Sequence, residues 1–99
     1  MRKYALLKIP HNIKKVIIYD TGNGTYIFHC TSTDDVGATG DHWYESCDIA
    51  EEAAKEEYGV EKSDWIQVSD PLPNCQDDFI RPVRIVGTEE GNPRWGFFE

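Results

Sequence analysis

The sequence predicts an α+β fold. It consists of a single antiparallel sheet of four to five strands, opened by an N-terminal β-hairpin, with one main helix packed on one face. Three observations carry this. Residues 14–20 (KKVIIYD) and 25–32 (TYIFHCTS) are rich in β-branched and aromatic residues and flank the tetrapeptide Thr21-Gly22-Asn23-Gly24; Asn-Gly between such segments is the strongest short hairpin signal. Residues 48–59 (DIAEEAAKEEYG) form the one segment with helical composition and caps. A lone hairpin is marginal in water, so the later strand-like segments must join it. The 99 residues suit one domain, 1–99.

In chain order, residues 3–9 (KYALLKI) read as a strand that Pro10 ends, with a turn at His11-Asn12. With Asn23-Gly24 as a two-residue turn, Gly22 pairs Thr25, Thr21 pairs Tyr26, Tyr19 pairs Phe28 and Ile17 pairs Cys30. Ile17, Tyr19, Tyr26, Phe28 and Cys30 then share one face, and Val16, Ile18, Asp20, Ile27, His29 and Thr31 the other. The first set makes the better core face and is expected to face the core. Residues 34–42 (DDVGATGDH) read as an acidic, glycine-containing loop. In the helix, Asp48 is the expected N-cap and Glu51 completes a capping box. Ile49, Ala50, Ala53, Ala54 and Tyr58 form a narrow apolar stripe beside a Glu-rich face, and Gly59-Val60 suits a Schellman-type end.

Residues 65–68 (WIQV) predict a short strand and 79–87 (FIRPVRIVG) another, with Pro82 marking an edge or a bulge. The connection between them lies in 70–82 (DPLPNCQDDFIRP). At eight or nine residues it exceeds the usual two to five of a hairpin link, and long charged loops often carry function. Residues 88–93 form a turn and the chain ends RWGFFE.

Composition is that of a soluble globular protein, with 39% hydrophobic and 28% charged residues. Net charge is −8, unevenly placed. Arg2, Lys3, Lys8, Lys14 and Lys15 fall in the first 15 residues, which carry no acid, so residues 16–99 hold all 18 acidic groups against five basic ones. Such a body repels nucleic acid and anionic membrane and attracts a basic partner; the plainer reading is solubility, with the basic strand paired internally against the acidic body. No apolar run reaches the length of a secretory leader or a membrane span. Cys30, Cys47 and Cys75 match no disulfide framework, which points to reduced thiols and a cytoplasmic setting.

No catalytic constellation is predicted, and no metal or cofactor. His29, Cys30, His42, Cys47 and Cys75 match no zinc spacing, and His29 and Cys30, adjacent in a strand, point to opposite faces. Cys47 at a helix start with His42 nearby sketches a nucleophilic pair, but in acidic surroundings that do not favour a thiolate. Asp34, Asp35 and Asp41 lack the EF-hand pattern, and GNGT lacks a phosphate-binding fingerprint. Trp43, Tyr44, Trp65, Trp95, Phe97 and Phe98 either line a pocket or edge the core; the C-terminal aromatics dock on the sheet or hold a partner or second copy. In an even strand over 79–86, Arg81 and Arg84 lie on opposite faces, each among apolar residues and each needing a partner, with Asp70, Asp77 and Asp78 near in sequence. The function expected is a small acidic, non-catalytic binding domain for a basic protein, with Asp77, Asp78, Arg81, Arg84, Trp43 and Trp95 as candidate binding residues. The alternative is a small-molecule-binding protein or enzyme with a site between Cys75 and Arg84.

Overall fold

A computed structural model describes residues 1–8, 11–72, 75–81, 83–86, 91 and 94–97, the segments 83–86 and 94–97 by their backbone. The elements are β1 (Arg2–Leu6), β2 (Lys15–Asp20), β3 (Thr25–Cys30), β4 (Gly40–Tyr44), α1 (Cys47–Tyr58), a 3₁₀ turn (Lys62–Asp64), β5 (Ile66–Val68), β6 (Val83–Val86) and β7 (Arg94–Phe97). The first five strands form one antiparallel sheet in the order β4-β3-β2-β1-β5, and β6 and β7 form a separate two-stranded ribbon. The expected sheet and helix are thus present, and β4 is a strand within what the sequence presents as an acidic loop.

The β2–β3 hairpin forms with its register moved by two residues. Asp20 pairs Thr25, Tyr19 pairs Tyr26 and Ile17 pairs Phe28, so Thr21–Gly24 is a four-residue loop rather than an Asn-Gly two-residue turn. Side chains close it locally. Thr21 N–H and Oγ1 both donate to the Gly24 carbonyl at 3.0 Å, Gly22 N–H donates to Asp20 Oδ1 and Asn23 N–H to Thr21 Oγ1. Polar side chains that take over backbone hydrogen bonds outcompete the tighter turn. Gly22 and Gly24 both hold positive φ, 89° and 134°, and a Cβ at Gly24 would also overlap the Trp43 indole.

A shift of two leaves the partition of faces intact, because side chains alternate with period two. The expectation of which face is the core is corrected. Helix α1 packs on the face carrying Ala5, Val16, Ile18 and Ile27, meeting them with Ala50, Ala54, Tyr58 and the following Val60. Alanines at i and i+4 let the helix approach a surface of β-branched side chains closely, whereas the other face carries bulky Tyr19, Tyr26 and Phe28, which stay half-buried. That second face is buried at its centre too: Ile17 and Cys30 are fully covered, and Phe79 is 3% exposed. Its cover comes from segments 34–38 and 75–81, with the Phe79 ring against Gly37. Strand β2 is therefore buried on both sides from Lys15 to Ile18, which is why it reads as a continuous apolar run.

Helix α1 starts two residues earlier than a cap at Asp48 implies. Ser46, not Asp48, is the N-cap, its Oγ accepting from Ile49 N–H at 3.3 Å; Asp48 then sits in the first turn, where its charge suits the helix dipole. Gly59 ends the helix in the left-handed region at φ 71°, its N–H donating to the Lys55 carbonyl, the simpler αL closure, with Val60 buried behind it. Ile49, expected in the apolar stripe, is 49% exposed.

The long 70–82 connection has a topological cause. Strand β5 pairs with β1, and β6 pairs with β7, so the segment joins two different sheets and never was a hairpin link. Phe79 and Arg81 precede β6 and are not strand residues; Pro82 and most of 88–93 lie outside the described residues. Glycine requirements at the hairpin are separable by substitution. Gly22→Ala, which meets no neighbouring atom, should lower unfolding free energy by about 1 kcal/mol from backbone strain alone, and Gly24→Ala, which also displaces the Trp43 ring, by about 2–3 kcal/mol, measured by urea denaturation.

Candidate functional site

The candidate residues of the 70–82 segment are positioned by one buried arginine that sequence reading placed only in a basic N-terminal strand. Arg2 starts β1 on the face away from the helix and is 2% exposed. Its Nε donates to the Ser69 carbonyl at 2.9 Å, Nη1 to the carbonyls of Asp77, at 3.0 Å, and Phe79, and Nη2 to the Ile80 carbonyl at 3.2 Å. Burial pulls its pKa down from the ordinary value, opposed by Asp35, Asp70 and Asp77; a guanidinium stays charged through such a shift.

Two aspartates complete the join. Asp35 accepts from Ile80 N–H at 2.7 Å, Arg81 N–H at 2.8 Å and Arg81 Nε at 3.2 Å. Asp78 reaches the other way, its Oδ2 accepting from Ala38 N–H at 2.7 Å. Segments 34–38 and 77–81 thus exchange carboxylates, each capping backbone donors of the other. Arg81 turns to Asp35 rather than to Asp77 or Asp78. Desolvation, then repulsion from Asp78, raises the Asp77 carboxyl above its ordinary value, with Arg2 opposing. A cleft of about 200 Å³ lies alongside, lined by Arg2, Asp70, Leu72, Cys75, Phe79 and Arg81 among others. Its chemistry is that of loop fixation, with Arg2, Asp35, Asp78 and Arg81 all bonded to main chain or to each other.

The remaining candidates fall elsewhere. Trp43 lies on the edge strand β4, on the face away from the helix, 53% exposed and cross-strand from Tyr26. Arg84 and Trp95 are in β6 and β7, where Arg84 opposes Gly96 and Ile85 opposes Trp95; their side chains, with that of Phe97 and all of Phe98, lie outside the described residues, and so does any self-association through them. His42 does not serve Cys47: its Nδ1 is 3.3 Å from His29 Nε2. Burial pushes the Cys47 thiol up, with Lys3 opposing and the nearby acids reinforcing, and burial raises Cys30 likewise. Among the described residues, no three His, Cys, Asp or Glu side chains converge as metal ligands, and no helix is long and apolar enough to cross a membrane.

A second surface emerges on α1. Asp48, Glu52 and Glu56 recur every four residues and form one row on the exposed side. Next to them run exposed Ile49 and half-buried Ala53, and these five residues line a shallow groove of about 430 Å³. A second depression of about 300 Å³ shares Asp48 and Glu52 and continues to Glu51, Lys55, Glu61 and Trp65. The acids there differ in state. Glu51 pairs with Lys3, which also lies 5.4 Å from the Trp65 ring centre, and Lys55 pairs with Glu61 at 3.7 Å. Among the described residues Asp48, Glu52 and Glu56 have no ion-pair partner.

The N-terminal basic groups are largely consumed inside the molecule. Arg2 and Lys3 are placed as above, Lys8 pairs with Asp64 at 2.7 Å and buried Lys15 donates to the Asp34 carbonyl at 2.8 Å. No protein family matches this chain, and no curated protein or solved structure matches it either.

The Arg2 join is measurable. Arg2→Met should cost roughly 3 kcal/mol of stability, because it strands carbonyls that lose a charged donor. Amide hydrogen exchange at Ala38, Ile80 and Arg81 should accelerate more than at Ile17 or Ile18.

Proposed function

We propose that this chain is a non-catalytic binding domain whose helix α1 receives a basic segment of a protein partner. The carrying observation is the unpaired row Asp48, Glu52 and Glu56 flanking exposed Ile49 and half-buried Ala53. An apolar strip beside regularly spaced carboxylates suits a partner that brings lysines or arginines alongside an aliphatic anchor, with charge steering the encounter and the apolar contact slowing release. The internal use of Arg2, Lys3, Lys8 and Lys15 supports this reading, since those cations do not neutralise the outward helix face. The same acidity disfavours nucleic acid and anionic lipid as partners. Three separate free thiols support a reducing, cytoplasmic setting.

The reading of a small-molecule site or enzyme between Cys75 and Arg84 ranks behind it. The 200 Å³ cleft favours that reading, but the polar groups beside it are engaged in holding two loops together, which accounts for their clustering without a ligand.

The test is affinity capture from the native host with partner identification, comparing the wild-type domain with Glu52→Lys/Glu56→Lys and with Ile49→Asp. Captured proteins should carry basic segments and bind at least tenfold more weakly to either variant. They should also bind more weakly at about 300 mM than at about 50 mM salt, where the screening length is longer. Retention of the same proteins by the charge-reversed variant, or salt-insensitive capture, would refute the proposal.

A further inference from the structure

The three histidines of the chain, far apart in sequence, converge on the C-terminal end of α1. His11 meets the Tyr58 ring edge-on with centroids 5.2 Å apart, His29 lies 5.9 Å from the same ring, and His42 packs on His29 at 4.8 Å. His29 is on β3, 8% exposed and on the helix side of the sheet, while His42 is on the exposed edge strand β4. His42 Nδ1 and His29 Nε2 face one another at 3.3 Å. Proposed binding at α1 makes no use of this cluster.

We propose that His29 and His42 form an acid-sensitive latch that holds edge strand β4 against the C-terminal end of α1. Two neutral imidazoles satisfy the 3.3 Å contact, one nitrogen donating its hydrogen and the other accepting. One added proton is also accommodated, since an imidazolium still donates to a neutral ring. Two are not, because both facing nitrogens then carry hydrogen and both rings carry charge. His29, enclosed between sheet and helix, resists the proton that would make both rings charged.

The surrounding charges set the balance. The negative charges of Glu57 on α1 and of Asp41 on β4 favour protonation of His29, while burial, first, and His42 oppose it, and the net effect lowers its pKa from the ordinary 6.5. Tyr58 adds no negative charge in this range, its own pKa being pushed up to about 12, chiefly by burial. The sign follows from linkage. A histidine whose folded pKa lies below its unfolded value stabilises the fold fully above about pH 6.5, and that contribution is lost as pH falls from there through the folded pKa. Forced protonation of His29 separates β4 from the helix end and bares Tyr58.

The experiment is an NMR titration of the imidazole resonances, with amide exchange protection followed over the same range, in wild type and in His42→Gln. Protection at β4 should fall at least tenfold as pH drops from about 6.5 to about 4.5, while β1 and β2 keep theirs. In His42→Gln, the His29 midpoint should move up towards its ordinary value, and β4 should lose protection less steeply. Independent titration of the two rings, with a His29 midpoint unchanged by His42→Gln, would overturn the proposal. So would β4 opening that has the same pH profile in both proteins.

Discussion

The placement of one guanidinium governs this structure. Arg2 leaves the first strand on the side away from the helix and gathers four main-chain carbonyls from a segment 67 to 78 residues downstream. Burying a charge is costly unless its hydrogen-bonding capacity is met, and here a planar, multidentate donor meets carbonyls that otherwise have no strand to pair with. A lysine would present a point charge in place of a fork and could not span the same set. With that join made, segment 75–81 can lie over the sheet, Phe79 can close on Gly37, and Asp35 and Asp78 can exchange caps between the two covering loops. Ile17 and Cys30 owe their burial to this cover.

The strands and helix were legible because their signals are local. β-Branched runs, an Asn-Gly turn and a capped Ala/Glu segment declare themselves within a dozen residues. The details that sequence reading missed depend on competition between near-equal local choices. Ser46 and Asp48 both suit an N-cap, and Ser46 takes it, so the helix begins two residues earlier than an Asp48 cap implies. The hairpin loop widened because Thr21 and Asp20 side chains supply hydrogen bonds that a two-residue turn makes from backbone. Face assignment failed for a different reason: choosing one better core face presumes a single buried face, and β2 has two.

The candidate surfaces divide in the same way. The acidic helix face was visible as composition, and its four-residue spacing is a property of the sequence; what was not visible is which acids remain unpaired, since Glu51 is taken by Lys3 across the fold. The aspartates of the 70–82 segment drew notice as a charged loop, yet Asp78 and Arg81 bond to residues some forty positions earlier. No local pattern announces such a partner. Cys47 and His42 looked like a pair from their nearness in sequence, and the strand register instead places His42 beside His29.

Strand β1 pairs on one side with β2 and on the other with β5, where Arg2 opposes Val68. The β2–β3–β4 meander and the helix after it can assemble from contacts close in sequence. The outer edge of β1 and the arginine beside it must wait for residues beyond Ile66. Closing so long a loop adds entropy cost only slowly with length but delays the contacts that reward it. During synthesis, then, β1 emerges well before the β5 residues that complete it, with an open hydrogen-bonding edge and an unmet cation throughout the interval. Arg2 and Lys3 on that strand are of the charged kind that discourages strand-to-strand association.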